Sequence, residues 1–81
     1  MVMETQPTKK EPLLEGERAI VIAINGDMVF RNFLLANGIS IGSIITKNFS
    51  PTFSKLVNFS VGGKMISLRI ADFDRIEAIK I

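Results

Sequence analysis

Few side chains in this sequence could carry out acid–base, nucleophilic or metal chemistry. The chain has no histidine, cysteine, tyrosine or tryptophan. The commonest general base, the thiol nucleophile and the softer metal ligands are therefore missing. Asp72 and Asp74 stand two positions apart on a predicted helical turn, where two carboxylates do not face each other, and we expect Asp72 to cap that turn. We predict that the chain is not an enzyme and has no catalytic residue, no cofactor and no metal ligand.

Charge and composition also disfavour a nucleic-acid-binding function. Ten Lys and Arg residues against eight Asp and Glu residues give a net charge of +2 over 81 residues. Proteins that bind nucleic acids usually concentrate basic residues on one face, often with stacking aromatic residues. Here the basic residues are scattered, and all six aromatic residues are phenylalanines at spacings typical of a core. We expect no nucleic-acid partner, and keep a small-barrel nucleic-acid-binding module as an alternative.

The sequence carries no signal for export or membrane insertion. It contains no uncharged apolar run of about 18 residues, the length that spans a membrane. Its first residues lack the apolar segment of a signal peptide, and the absence of cysteine gives no support for export. We predict a cytoplasmic protein without direct membrane insertion.

The elements of the fold must position the polar and charged side chains. The first element is a predicted strand, Arg18–Ile24. Nearly every residue in it is apolar. Alternation is expected to place Ile20, Ile22 and Ile24 on one face and Ala19, Val21 and Ala23 on the other. A strand that is apolar on both faces is usually covered on both sides. The helix or a partner would provide the second cover, which leaves homo-oligomerisation open.

A short capped helix is predicted next, over Met28–Asn37. Asp27 can accept hydrogen bonds from the first free amides of this helix. Gly38 can end the helix in the left-handed region at little cost, and in such a Schellman motif Ile39 packs against Leu34. The apolar stripe of the helix is expected to comprise Phe30, Phe33 and Leu34 and to extend to Asn37.

Four further strands are predicted after the helix. They are expected at Ser43–Phe49, at Lys55–Val61, in a returning strand through Ile70, and from Arg75 or Ile76 to Ile81. In the returning strand Ile66, Leu68 and Ile70 are expected to point inward. Gly62–Gly63 supplies the positive φ angles of a hairpin and, without a following helix, is not a phosphate-binding loop. Ala71–Arg75 has room for one helical turn. The pattern predicts a mainly β fold, a small SH3-like five-stranded barrel.

The length of the chain allows one domain. Residues 1–11 are mostly polar and have no periodic apolar pattern, so we predict a disordered N-terminal tail. Residues 12–81 are predicted to form the SH3-like barrel domain. A domain of that size is near the lower limit for a core without metals or disulfides.

Without catalytic chemistry, the function is expected to depend on surface contacts. The candidate contact residues are Arg31 on the helix, Lys55 beside the Pro51 loop, Phe53 in that loop, and Arg69 on the outer face of its strand. Each has a structural alternative, because Arg69 could pair only with Asp72 or Glu77 and Phe53 could fold back over the barrel. The predicted partner-binding residues are Arg31, Leu34, Pro51, Phe53 and Arg69.

The order of several short motifs resembles that of one family. The motifs are Leu-x-x-Gly at Leu13–Gly16, the helix exit Leu34–Gly42, Ser50–Pro51 at a strand end, Gly63 in a hairpin, and Ser67–Leu68–Arg69. From Leu13 to Ile81 this order is similar to that of ferrous iron transport protein A, the FeoA family. The resemblance implies an SH3-like barrel without catalysis. It also implies a small accessory or regulatory protein of bacterial ferrous-iron uptake, acting on the membrane ferrous-iron transporter and its GTPase domain.

Several positions depart from the family pattern. The family often has arginine at Phe33, an apolar residue at Asn37 and proline at Ile41, and the loop after Pro51 lacks the usual Gly-Asp-Pro. These departures imply that the chain recognises a divergent transporter or a different partner. The same domain occurs at the C-terminus of iron- and manganese-dependent repressors, so a metal-responsive interaction domain is a second alternative. Carboxylates alone would bind ferrous ions weakly.

Overall fold

One antiparallel sheet and two short helices make up the fold. The computed structural model describes residues 13–51 and 53–81. The predicted tail, residues 1–11, lies outside the described residues. The elements are β1 (Arg18–Ile24), α1 (Met28–Ala36), β2 (Ile44–Lys47), β3 (Leu56–Val61), β4 (Lys64–Arg69), α2 (Ile70–Phe73) and β5 (Ile76–Lys80). No helix among the described residues is long and apolar enough to cross a membrane.

The five strands lie in the order β4-β3-β2-β1-β5, and every neighbouring pair is antiparallel. Within the described residues no pairing joins β4 to β5, so the barrel is open between them. The short helix α2 connects these two strands. Its Phe73 ring contacts the fully buried Phe59 ring with the centroids 5.3 Å apart. The prediction of a mainly β, SH3-like five-stranded barrel is confirmed.

The core is built from the inner faces of the strands and from the end of α1. Strand alternation accounts for most of it, since buried and exposed residues alternate along β3 and β4. The core residues are Ala19, Val21, Leu34, Ile39, Ile45, Phe59, Val61, Ile66, Leu68 and Ile76.

A bulge in β1 changes the predicted faces of this strand. Val21 lies opposite Ala78, but Ala23 lies opposite Glu77, so β1 has one extra residue there. Such a bulge shifts the alternation by one position. As a result Ile24 pairs with the buried Ile76 and packs against the core. The prediction that Ile24 shares a face with Ile20 and Ile22 is therefore wrong.

The outer face of the sheet carries an exposed row of isoleucines. Ile20 lies opposite Ile44 of β2 and opposite Ile79 of β5. Ile22, Ile44 and Ile79 are all exposed. Among the described residues α1 therefore does not cover the outer face of β1, and cover of this face by a partner stays a prediction.

The helix α1 has the predicted caps. The Asp27 carboxylate accepts a hydrogen bond from the Phe30 amide at 2.9 Å. At the other end the Ile39 amide donates to the Leu34 carbonyl at 2.9 Å, and the Gly38 amide donates to the Leu35 carbonyl at 3.0 Å. Gly38 has a φ of +83°. This hydrogen-bond pattern is the predicted Schellman motif, and both Leu34 and Ile39 are buried.

The second strand is shorter than predicted because its first residue serves a turn. The Ser43 hydroxyl accepts a hydrogen bond from the Ser40 amide at 2.9 Å, and the Ser43 amide donates to the Ser40 carbonyl at 3.0 Å. At its other end β2 stops at Lys47, although the Asn48 amide still donates to the Asn58 carbonyl at 2.8 Å before the chain enters the loop. There the Asn58 side-chain amide donates to the Phe49 carbonyl at 3.0 Å.

The connection from β4 to β5 corrects two predictions. Ile70 opens α2 and is exposed, so it does not point inward. The side chain of Asp72 does not cap the turn. Its carboxylate instead accepts a hydrogen bond from Arg69 Nε at 3.1 Å, which is one of the alternatives expected for Arg69.

The strand register sorts the connections into two ends of the sheet. At one end, called here the helix end, β1 runs into α1, the hairpin Gly62–Gly63 joins β3 to β4, and β5 begins. The predicted hairpin has φ angles of 57° and 83° at these glycines. At the other end, called the loop end, β2 is joined to β3 by residues 48–55, and β1 starts opposite the last residues of β2 and β5.

Candidate docking groove

The helix α1 exposes most of its apolar side chains. Leu34 is its only buried residue, at 0% exposure, and Phe30 packs partly against the core. Phe33 is 46% exposed, so its predicted place on the core stripe is wrong. The exposed apolar residues of the helix are Met28, Val29, Phe33 and Leu35. A helix with this much uncovered apolar surface is typical of a contact surface.

A groove of about 410 Å³ lies between α1, the segment that follows it and the end of β1. Its apolar lining is Ala23, Ile24, Leu35, Ile39 and Ile41. Its polar lining is Asn25, Arg31, Asn32 and Ser40. We call this feature the docking groove. Concave sites with an apolar lining and a few polar groups are the usual form of binding sites.

Arg31 is the charged residue of the docking groove. Its Nη2 atom donates a hydrogen bond to the Ile24 carbonyl at 3.0 Å, which fixes the guanidinium at the rim. Arg31 is exposed and forms no ion pair with any residue that the structure describes. A guanidinium has five N–H donors in a planar fork. The remaining donors of Arg31 can therefore bind a carboxylate that lies beside an apolar group.

The wall of the groove next to β1 is held by hydrogen bonds. The Asn25 amide donates to the Arg75 carbonyl at 2.7 Å, and the Asn25 side-chain amide donates to Glu77 Oε2 at 2.6 Å. The Arg75 guanidinium lies 5.5 Å from the centroid of the Phe30 ring, a cation–π geometry. The first turn of α1 is thus tied to the start of β5.

The five predicted partner-binding residues do not form one surface. Arg31 lies in the docking groove at the helix end. Leu34 is fully buried, so its side chain cannot touch a partner, and we correct its assignment to a core residue that holds α1 on the sheet. Pro51, Phe53 and Arg69 lie at the loop end. Whether any of them binds a partner stays a prediction.

At the loop end, Phe53 is 95% exposed and does not fold back over the barrel. The loop approaches the end of β4, because the Ile70 amide donates to the Lys55 carbonyl at 3.0 Å. Arg69 pairs with Asp72 while its side chain remains 77% exposed. The structure therefore brings Phe53 and Arg69 to the same end of the sheet, away from Arg31.

Sequence reasoning missed Leu35 and Ile41 as groove residues. Both residues lie in the helix-exit motif Leu34–Gly42, but that motif predicts only where the helix ends. The available signal was that Leu35 follows the buried Leu34 and so points to another side of the helix. Ala23 could not be found in this way, because the bulge in β1 decides where it points.

The titratable groups of the described residues do not cluster as metal ligands would. No group of three or more acidic, histidine or cysteine side chains lies close enough to hold a metal ion in the described part of the chain. Glu17, at the loop end, has its pKa lowered by the hydrogen bond from the Leu14 amide, with a smaller effect from Lys80. The Lys80 Nζ atom lies 3.4 Å from its carboxylate.

Comparisons with known proteins agree on one family. The family model described as the FeoA domain matches residues 12–80. A crystal structure of an iron uptake regulatory protein (FeoA) is 25% identical, with a TM-score of 0.73 over 83% of this chain and 88% of that chain. Among curated proteins no significant match is found.

Two longer proteins share the fold. The solution structure of iron(II) transport protein A from Clostridium thermocellum is 20% identical, with a TM-score of 0.80, and covers 85% of this chain and 43% of that chain. A manganese-dependent transcriptional repressor is 16% identical, with a TM-score of 0.74, and covers 84% of this chain and 38% of that chain. Because the family model spans almost the whole described domain, the chain belongs to the FeoA domain family.

Proposed function

We propose that this chain is a cytoplasmic accessory protein of bacterial ferrous-iron uptake, which regulates the membrane ferrous-iron transporter by binding its cytosolic, GTPase-containing part. Membership of the FeoA domain family supports the biological setting. The observation that carries the mode of action is the docking groove, which has apolar walls and one cation without an ion pair among the described residues. No catalytic step is assigned to the chain.

The chemistry of the groove defines the contact on the transporter. Leu35 and Ile41 offer an apolar surface, and Arg31 stands at its edge. An apolar side chain of the transporter fills the groove, and a neighbouring aspartate or glutamate binds the guanidinium. Charge-assisted pairs of this kind add geometric specificity, and a desolvated arginine is a frequent binding hot spot.

The experiment is a co-purification of the tagged chain with the transporter from its own genome, in detergent, with and without a GTP analogue. We expect the native chain to bind and Arg31→Glu to lose at least tenfold in affinity, because reversal of the charge opposes the carboxylate of the partner. Leu35→Asp should weaken binding as strongly, since it places a charge against the apolar part of the contact.

Lys55→Glu is the matched control for Arg31→Glu. It reverses one exposed basic charge at the loop end and should leave co-purification unchanged. If the native chain does not bind the transporter in any nucleotide state, the proposed function fails. If Lys55→Glu and Arg31→Glu weaken binding equally, the transporter does not recognise the docking groove.

A further inference from the structure

The loop end carries the most exposed aromatic residue of the described chain. Phe53 is 95% exposed, and Phe49 of the same connection is also exposed. The base of this connection is fixed, because the Asn58 side chain donates to the Phe49 carbonyl at 3.0 Å and Lys47 Nζ donates to the Asn48 carbonyl at 2.9 Å. The two rings are thus presented to the outside by an anchored loop.

Further exposed aliphatic side chains lie at the same end of the sheet as these rings. The turn that contains Leu14 lies at the loop end, where the Gly16 amide donates to the Lys47 carbonyl at 2.8 Å. Ile81 joins it through a 3.0 Å hydrogen bond from its amide to the Arg18 carbonyl. Both side chains are exposed, as is Ile70 beside Lys55. The loop end therefore carries a set of exposed apolar side chains, called here the apolar tip: Leu14, Phe49, Phe53, Ile70 and Ile81.

The charges at this end are mostly positive. The basic residues at the loop end are Arg18, Lys47, Lys55, Arg69 and Lys80, and the acidic ones are Glu15, Glu17 and Asp72. Glu17 is paired with Lys80 and Asp72 with Arg69. The helix end, by contrast, has three basic and three acidic residues, namely Arg31, Lys64 and Arg75 with Asp27, Asp74 and Glu77. The excess positive charge of the described domain thus lies beside the apolar tip.

We propose that the loop end binds the surface of an anionic lipid bilayer. Phe53 and Phe49 enter the boundary between headgroups and acyl chains, and Lys55 and Arg18 lie against anionic headgroups. Apolar insertion and attraction of basic residues to anionic lipids are the two terms that hold proteins on such surfaces. The contact is peripheral, and it amends the expectation of no direct membrane insertion, which rested on the lack of a spanning segment.

A bilayer fits these features better than a nucleic acid or a protein groove. Single-stranded nucleic acids need a basic groove in which aromatic rings serve as stacking platforms. Here Phe53 is 95% exposed, and the exposed apolar side chains at this end other than Phe49 and Phe53 are aliphatic and do not stack. A flat, deformable surface accepts such a tip without a matching cavity.

The test is sedimentation of the purified full chain with vesicles of phosphatidylcholine, with and without phosphatidylglycerol. We expect binding to the anionic vesicles and little to the neutral ones. Phe53→Ser should lower the partition coefficient roughly tenfold, since it removes one inserted ring. Lys55→Gln should lower it about fivefold, the usual effect of one basic residue at an anionic surface.

Two matched variants at the helix end serve as controls. Met65→Ser removes another exposed apolar side chain, and Lys64→Gln removes another exposed positive charge. Both should bind vesicles as the native chain does, and circular dichroism checks that all variants are folded. The proposal is overturned if the native chain does not sediment, or if the controls lose as much binding as Phe53→Ser.

The vesicles contain no transporter, so this test is independent of the proposed function. Two other results would also overturn the bilayer proposal. In the first, Phe53→Ser binds vesicles normally but no longer co-purifies with the transporter in detergent, which would assign the loop end to a protein contact. In the second, the native chain binds single-stranded DNA and Phe53→Ser abolishes that binding.

Discussion

At the residue scale, Gly38 shows how one backbone conformation decides where a helix ends. Its φ of +83° lies in the left-handed region, and a Cβ atom built there would meet no heavy atom within 4 Å. A substitution at this position is therefore opposed by the backbone conformation alone and not by crowding. This separates the conformational effect from packing.

Gly38→Ala should lower the free energy of unfolding by about 1 kcal/mol or more, because alanine is disfavoured in the left-handed region. Denaturant unfolding followed by circular dichroism measures the loss. Gly38→Asn is the control, since asparagine tolerates this region better, and its loss should be smaller. Equal stability of the native chain and Gly38→Ala would show that this conformation does not limit stability.

Glu17 gives a dependence of stability on pH. Its pKa in the folded chain is lowered from an ordinary value of 4.5, first by the Leu14 amide and then by Lys80. A group with a lowered pKa stabilises the fold above its ordinary pKa, and this contribution is lost as the pH falls through the folded value. The carboxylate is thus stabilising at neutral pH and not in strong acid.

Glu17→Gln should therefore melt below the native chain at pH 7, and the two melting temperatures should converge as the pH falls below 4.5. Calorimetry across this range measures the difference. Glu15→Gln lies on the same turn and is the control, and it should change the melting temperature little at pH 7 because Glu15 is exposed. A constant difference between Glu17→Gln and the native chain would argue against the carboxylate as the source.

At the element scale, α1 packs on the sheet through the fully buried Leu34 and, in part, through Phe30. Leu34 is fully buried, whereas the adjacent Leu35 lies at the docking groove and is exposed. The two positions carry the same side chain and are neighbours in one helix. They therefore form a matched pair for measuring what attaches the helix.

Leu34→Ala should cost ~2–5 kcal/mol of unfolding free energy, because it leaves a cavity under the helix. Leu35→Ala should cost less than about 0.5 kcal/mol, as expected for an exposed position. Denaturant unfolding of the two variants gives the comparison. Similar losses in both would mean that the helix is attached along its whole length and not chiefly through Leu34.

The elements that sequence predicts well here are those fixed by local contacts. The caps of α1 at Asp27 and Gly38 and the hairpin at Gly62–Gly63 involve residues at most a few positions apart, so the sequence specifies them directly. The bulge in β1 depends on pairing with β5, more than fifty positions later. Ile24 was therefore assigned to the wrong face, since alternation alone takes no account of a distant partner strand.

The candidate site was predicted only in part for a related reason. Arg31 was found because it is the charged residue of an apolar helix, and it does line the docking groove. Helical periodicity and the Schellman motif place Leu34 in the core, where it lies. Its assignment to partner binding came from the family motif, which does not show which of its residues are exposed. The separation of Arg31 from Phe53 depends on the order of the strands, which short motifs do not specify.

At the scale of the whole molecule, the sheet keeps two different surfaces apart. The helix end carries the docking groove, and the loop end carries the apolar tip with the excess of basic charge. The strands between them are tied by the core around Phe59. A variant at one end should therefore leave the other end intact, and this is why Lys55→Glu serves as the control for Arg31→Glu.

The small buried surface of α1 affects how long the docking groove persists. Local openings of a protein cost least where little apolar surface is buried, and α1 buries one side chain completely. We therefore expect α1 to open before the sheet unfolds, and the groove to exist only during the intervals when α1 is packed on the sheet. A partner that fills the groove lengthens those intervals by mass action, so occupancy of the groove and order of the helix rise and fall together.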